Sequence, residues 1–165
     1  MNEKEMKLSA LFADFLRFCL REEAQEPAGL AEMDWDALYD FGYKQAILGV
    51  FFHGIKRLSK SEHRPGRQQI LKWYGSCSFI ERANRQAYKD ASMLTALMLK
   101  EYGVHSCVLK GQTNALMYPD PYMRTSGDID LWTDAETLDV IRISRQLDKH
   151  GEIGYHHIEV GCFKT

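Results

Sequence analysis

The sequence predicts an α+β protein in which a helical N-terminal half packs on a small αβαβ mixed sheet. Three observations predict this fold. Apolar residues recur at helical spacing through the first hundred residues, two short β-rich runs follow Gly103, and turn residues separate these segments. We therefore expect a helical region over residues 1–102 and a sheet-containing region over residues 103–165.

The first two helical segments are predicted from apolar spacing and from turn residues. Residues 5–22 place their apolar side chains on one face of a helix. Residues 34–58 form a second helical region with Asp34 as its N-cap. Gly42 and Gly49 weaken this region, which favours two shorter helices.

A long helix is predicted from about Gln68 to Tyr102, and Gly103 is the left-handed residue expected to end it. The loop before this helix is rich in cations. A solvated loop is the main interpretation and an RNA or phosphate contact is the alternative for six residues: Lys56, Arg57, Lys60, His63, Arg64 and Arg67.

The remaining chain alternates between strand and helix patterns. Residues 104–109, 128–132 and 155–160 are rich in β-branched, apolar or aromatic residues and predict three strands. The segment 111–118 has room for about two helical turns. These elements make up the predicted αβαβ unit.

A capping box predicts where the last helix begins. Thr133 and Glu136 have the spacing in which each side chain satisfies a free backbone N–H of the first turn. We expect the helix to reach Lys149 and His150, because cations suit the negative end of the helix dipole.

Composition limits the classes of function. Apolar residues make up 45% of the 165 residues and the net charge is −2, so the chain can bury a core and lacks the basic excess of a duplex-binding domain. No apolar run is long enough for a signal peptide or a membrane span. The four cysteines form no CxxC pair, and Cys107 alternates into an apolar strand as a core residue. We expect a cytoplasmic protein with free thiols.

Two aspartates lie close together in the second strand. Residues i and i+2 of a strand share a face, so Asp128 and Asp130 project together while Ile129 and Leu131 face the core. Like charges repel, and a divalent cation between them removes that cost. Oxygen ligands of this kind suit Mg²⁺ or Mn²⁺, completed by substrate phosphates. A solvated strand face is the alternative. Trp132 shares the aspartate face, where it either packs or contacts a nucleobase.

Three other residues extend this candidate site. Lys110 and Gly111 end the first strand, where glycine lets the backbone approach a phosphate and lysine supplies charge. An ordinary turn is the alternative reading. Glu159 shares a face of the third strand with His157 and faces the aspartates if that strand lies beside the second. An exposed glutamate is the alternative.

A zinc site is a competing interpretation near the C-terminus. His156 and His157 would point to opposite faces of a strand, and no second ligand pair has useful spacing. The cluster that would be involved contains His150, His156, His157, Glu159 and Cys162.

The stretch VLKG…ALMYPDPYMRTSGDIDLW, residues 108–132, resembles a bacterial nucleotidyltransferase family of the polymerase β-like superfamily. That family follows the pattern LKG…YP.P..R..GDIDL, in which Lys-Gly replaces the usual Gly-Ser of the superfamily. The segment FGYKQAILGVFFHGI, residues 41–55, is similar to the helical lead-in of the family. The resemblance therefore covers most of the chain.

The resemblance implies transfer of a nucleoside monophosphate from an NTP to a hydroxyl of an unknown acceptor, which is an RNA, a protein or a small molecule. It also implies roles for individual residues. Asp128, Asp130 and Glu159 would be the catalytic carboxylates and the ligands of Mg²⁺ or Mn²⁺. The residues implied to contact the nucleotide phosphates are Lys110, Gly111, Arg124 and Ser126.

Members of such families usually continue well past the third strand, whereas this sequence ends soon after Glu159. We therefore expect an incomplete catalytic region, weak activity or none, and a homo-oligomer or partner protein that completes the fold. The alternative function is a non-catalytic interaction or regulatory module, similar to an antitoxin, built on a truncated nucleotidyltransferase fold.

Overall fold

The computed structural model describes residues 3–125, 127–154 and 157–161. This part of the chain contains helices and one two-stranded antiparallel sheet, which agrees with the predicted α+β class. Every helix in it is too short or too polar for a transmembrane segment. The helices are α1 (Glu3–Leu20), α2 (Trp35–Lys44), α3 (Leu48–Arg57), α4 (Arg67–Tyr102), α5 (Gly111–Ala115) and α6 (Thr137–Leu147). The strands are β1 (Ser106–Leu109) and β2 (Asp130–Thr133).

The chain divides into two compact units. The first, called the helical unit below, comprises Met1–Asn84 and Asn114–Ser126. The second, called the site unit, comprises Arg85–Thr113 and Gly127–Thr165. The long helix α4 contributes residues to both units. The domain boundary that the sequence predicts after residue 102 stays a prediction.

Aromatic side chains fill the core of the helical unit. The ring of Phe15 on α1 lies 5.4 Å from Trp35 and 5.9 Å from Phe51, measured between centroids. The ring of Trp73 on α4 lies edge-on to Tyr39 at 5.1 Å. Each such pair contributes about 0.5–1.5 kcal/mol beyond the burial of its area. These contacts join α1, α2, α3 and the first part of α4 around one core.

Three local predictions about the helices are confirmed. The Asp34 carboxylate accepts a hydrogen bond from the backbone N–H of Ala37 at 2.9 Å, as an N-cap does. The region over residues 34–58 is two helices, with Ala46 in a left-handed conformation between them at φ 56°. Gly103 follows α4 with φ 67°, which suits glycine because it has no Cβ.

Arg57, one of the six basic residues in and around the loop before α4, has a structural role. Its guanidinium donates hydrogen bonds to the carbonyl oxygens of Glu22 and Ala24 at 2.9 and 3.2 Å. It also donates to the carbonyl oxygens of Phe18 and Arg21. The last carbonyls of a helix have no partner within the helix, so Arg57 caps the end of α1 and the turn after it. These bonds account for Arg57 without an RNA or phosphate contact.

His53 on α3 makes the stability of the helical unit depend on pH. Burial lowers the pKa of His53 from 6.5, the charges of Lys56 and Arg57 lower it further, and the carboxylates of Asp120 and Glu22 oppose them. Below pH 6.5 the unfolded chain therefore binds a proton that folded His53 binds less readily. We expect the free energy of unfolding to fall between pH 7 and pH 5, and to fall less in His53→Gln. Urea denaturation across this range measures it, and equal pH slopes in the two proteins would contradict it.

Burial keeps two of the cysteines protonated. It raises the pKa of the Cys19 and Cys77 thiols to about 12, so neither supplies a thiolate at neutral pH. Both are free, as is the exposed Cys107, in agreement with the expected free thiols. Cys162 lies outside the described residues.

The predicted third strand of the sheet is not confirmed. Within the described residues, Ile153 and Ile158 form a single antiparallel bridge. The N–H of Glu159 donates to the carbonyl of Glu152 at 2.9 Å. Among the described residues, the backbone groups that make these contacts therefore pair locally rather than with the β1–β2 sheet.

The predicted capping box is wrong, because pairing with β1 extends through its first residue. Thr133 is the last residue of β2, and the N–H of Asp134 still donates to the carbonyl of His105 at 3.1 Å. Glu136 is the N-cap of α6 without a side-chain hydrogen bond. The helix ends at Leu147, before the two cations that the sequence placed in its last turn.

Candidate functional site

The register of the sheet brings Lys110 beside Asp130. Leu109, the last residue of β1, lies opposite Asp130, the first residue of β2. The Lys110 ammonium is 3.5 Å from a carboxylate oxygen of Asp130. Both side chains keep substantial solvent exposure, 73% and 38%, so this ion pair contributes only about 0–1 kcal/mol to stability. The two charges are thus adjacent, and either side chain can exchange this ion pair for another partner at little cost in stability.

Asp128 lies in an exposed bend just before β2. The prediction that both aspartates share one face of a strand is therefore wrong for Asp128. Within β2, Leu131 packs against the core of the site unit while Trp132 is 54% exposed. The pleat sets the direction of Asp130 alone, so the position of Asp128 depends on contacts other than strand pairing.

The outer face of the sheet is largely apolar and open to solvent. It contains Cys107 and Leu109 of β1 and Trp132 of β2, with Cys107 directly opposite Trp132. The prediction that Cys107 belongs to the core is wrong. The inner face packs through residues such as Leu131, and alternation directs Cys107 to the other face.

The turn after β1 has a strained backbone. Lys110 has φ 47°, and Ala46 is the other non-glycine residue with positive φ among the described residues. A left-handed conformation costs a residue with a Cβ about 1–2 kcal/mol. Strain of this kind is often found at functional sites. Gly111 follows as the first residue of α5, a helix of five residues.

Gln112 is a member of the site that the sequence reasoning missed. It is 2% exposed, and its amide nitrogen lies 3.5 Å from the backbone carbonyl oxygen of Asp128. Its amide oxygen is buried and has no hydrogen-bond partner among the described residues. The Tyr88 hydroxyl donates to the backbone carbonyl of Gln112 at 2.6 Å. A lone glutamine near the start of a short helix resembles a solvated residue, so no sequence pattern indicated its role.

Comparison with known proteins identifies the family. A family model described as uncharacterised nucleotidyltransferase matches residues 31–159. The chain belongs to this family. No curated protein and no solved structure is significantly similar to it. The match to the nucleotidyltransferase family begins before α2 and ends after α6. It therefore includes the turn at Lys110 as well as Asp128 and Asp130.

Arg124 and Ser126 are the other two predicted phosphate ligands. Arg124 belongs to the helical unit, where its backbone carbonyl accepts a hydrogen bond from the Asn84 amide at 2.6 Å. Its guanidinium lies 6.0 Å from the ring centroid of Tyr118. Ser126 lies outside the described residues. The phosphate contacts of both residues stay predictions.

Glu159 is exposed, and its carboxylate lies 3.7 Å from a ring nitrogen of His157. The described residues contain no group of three or more His, Cys, Asp and Glu side chains that could hold a metal ion. His156 and Cys162 of the alternative zinc cluster lie outside these residues. The role of Glu159 as third carboxylate stays a prediction.

The chemistry of the site fits a hard divalent cation. Mg²⁺ is commonly held by one or two carboxylates together with substrate phosphates, and it keeps several waters. Asp128 is exposed and Asp130 is partly exposed, so both carboxylates are accessible to a metal–nucleotide complex. Lys110, beside Asp130, carries a positive charge of the kind that phosphate groups attract.

Proposed function

We propose that this chain is a metal-dependent nucleotidyltransferase that transfers a nucleoside monophosphate from an NTP to a hydroxyl of an acceptor. Membership of the family supports the reaction class. The observation that carries the proposal for the site is the 3.5 Å approach of the Lys110 ammonium to the Asp130 carboxylate. This contact places a group suited to binding phosphate beside a group suited to binding metal, at one end of the sheet.

Lys110 and Gly111 bind the phosphates in this proposal. The exposed ion pair with Asp130 is weak, so Lys110 exchanges its carboxylate partner for phosphate oxygens at little cost. α5 is too short to supply a large dipole, which leaves the ammonium and the backbone N–H groups of the turn as the attracting groups.

Asp128 and Asp130 hold Mg²⁺ or Mn²⁺, which supplies charge neutralisation at the α-phosphate and the leaving pyrophosphate. Glu159 takes the proton of the acceptor hydroxyl. The acceptor oxygen then forms a bond to the α-phosphorus, and the bond from the α-phosphorus to the bridging oxygen of pyrophosphate breaks. Trp132, on the outer face that begins at Asp130, offers an aromatic surface for the nucleobase.

Calorimetry tests the proposal. We expect wild-type protein to bind at least one of ATP, CTP, GTP and UTP in the presence of Mg²⁺. Asp128→Ala/Asp130→Ala should retain its circular dichroism spectrum and lose Mg²⁺-dependent binding, because both metal ligands are gone. Equal Mg²⁺-dependent binding by the double variant would disprove the assignment of the two aspartates.

The alternative is a non-catalytic interaction module. The solvent-exposed apolar face with Leu109 and Trp132 favours it, because exposed apolar surface often marks a binding surface. Thermal unfolding separates the two functions. A rise in Tm with Mg²⁺ and NTP supports the enzyme, whereas wild-type protein that no Mg²⁺–NTP mixture stabilises favours the module.

A further inference from the structure

Gln112 combines burial with an incomplete set of hydrogen bonds. The side chain is 2% exposed, and its amide nitrogen lies 3.5 Å from the carbonyl oxygen of Asp128. Its amide oxygen has no hydrogen-bond partner in the part of the chain that the structure describes. Buried polar side-chain atoms nearly always have a partner. An exception in a folded protein therefore requires a reason, and it often lies at a functional site.

The contact with Asp128 accounts for the orientation of the amide. A backbone carbonyl only accepts hydrogen bonds, so the NH₂ group of Gln112 must face it. The opposite orientation would bring two oxygens together. The buried oxygen of Gln112 is thus left without a partner as a consequence of holding Asp128.

The backbone of Gln112 is held by its surroundings. Tyr88 on α4 donates its hydroxyl hydrogen to the Gln112 carbonyl at 2.6 Å. The next residue, Thr113, donates its hydroxyl hydrogen to the carbonyl of Val108 on β1 at 2.9 Å. α5 is thereby tied to α4 and to β1, and the Gln112 side chain links this frame to Asp128.

Asp128 needs such a link more than Asp130 does. Asp130 is held by its pairing with Leu109, whereas Asp128 lies in the bend ahead of the strand. A metal site requires both carboxylates to be oriented before the metal–nucleotide complex arrives, since ordering them on binding would lower the affinity.

We propose that Gln112 is a positioning residue that holds the backbone of Asp128 so that its carboxylate is oriented for Mg²⁺–NTP. This inference rests on the proposed function. Methionine has a similar length and volume, and it would fill the same space without leaving an unpaired polar atom. Glutamine at this position therefore serves the site rather than the stability of the fold.

The test compares Gln112→Met with Ser106→Ala as a matched control. The hydroxyl of Ser106 on β1 is the other buried side-chain polar atom without a partner among the described residues, and the substitution leaves the bond to Asp128 intact. Urea denaturation should show both variants at least as stable as wild type. Calorimetry with the NTP that wild type binds should show an unchanged Mg²⁺ requirement in Ser106→Ala. In Gln112→Met the Mg²⁺ concentration for half-maximal binding should rise about tenfold.

Binding of the same NTP without metal separates positioning from general damage to the fold. We expect this binding, however weak, to be equal in wild type and Gln112→Met, because the phosphate contacts of Lys110 are intact. Gln112→Leu gives a second apolar variant if the methionine variant is poorly folded. An unchanged Mg²⁺ requirement in the folded variant would overturn the role of Gln112 and leave the proposed function standing. Wild-type protein that binds no Mg²⁺–NTP would overturn both.

Discussion

Replacing Lys110 by glycine is expected to weaken Mg²⁺–NTP binding by about 10- to 100-fold while leaving the fold intact. A hydrogen bond to a charged group contributes about 1.5–3 kcal/mol, and a tenfold change in affinity corresponds to about 1.4 kcal/mol. Stability should change by less than about 1 kcal/mol. Glycine relieves the strain at φ 47°, and this gain offsets the greater backbone freedom of glycine and the loss of a weak ion pair. Calorimetry and urea denaturation measure the two effects.

Ala46→Gly is the matched control for this substitution. Ala46 has φ 56° in the turn between α2 and α3, away from the candidate site in sequence. Glycine there should affect stability in the same way and leave NTP binding unchanged. If Lys110→Gly bound Mg²⁺–NTP as tightly as the control, the ammonium of Lys110 would have no part in phosphate binding.

Gly49→Ala is expected to destabilise the helical unit by about 3 kcal/mol. A Cβ at Gly49, in the first turn of α3, would overlap the backbone carbonyl of Met123. Backbone atoms cannot rotate away as the end of a flexible side chain can, so α3 or the turn at Pro121–Met123 must move. Alanine is the better helix former by about 1 kcal/mol, so a loss of stability isolates the cost of the contact. Urea denaturation measures it.

Gly75→Ala provides the comparison, since Gly75 lies in α4 and a Cβ there meets nothing within 4 Å. This variant should gain about 0.5–1 kcal/mol from helix propensity. If Gly49→Ala were equally stabilising, the close approach of α3 to Met123 would be absent in solution. The turn at Pro121–Met123 contains the second proline of the family pattern YP.P..R, so its packing on α3 gives this part of the pattern a structural role.

The sequence anticipated features that depend on neighbouring residues. The cap at Asp34, the division of the region over residues 34–58 and the left-handed stop at Gly103 each follow from local backbone chemistry. Periodicity identified the main helices for the same reason, because a buried stripe repeats at the spacing of the helix itself. Gly42 and Gly49 were interpreted as weak points of the helical region, whereas Gly49 is where the carbonyl of Met123, distant in sequence, approaches α3.

The predictions that were wrong or not confirmed concern residues whose pairing or packing partners are distant in the sequence. The residues before Glu159 have strand propensity, yet the described ones bond to the chain beside them instead of to β2. Cys107 was assigned to the core because its neighbours are apolar, but only one face of the two-stranded sheet packs inwards. Strand propensity does not specify which partner or which face is used, so local pattern could not decide either case.

The sequence by itself determined the α+β class, the nucleotidyltransferase family and the two motifs that meet at the site, since these depend on residue type and order along the chain. The tertiary structure decided how the motifs meet. Antiparallel register places Lys110 against Asp130, and the amide of Gln112 reaches the backbone of Asp128. These contacts depend on strand register and on the path of α5, because both are set by packing between residues that lie far apart in the sequence.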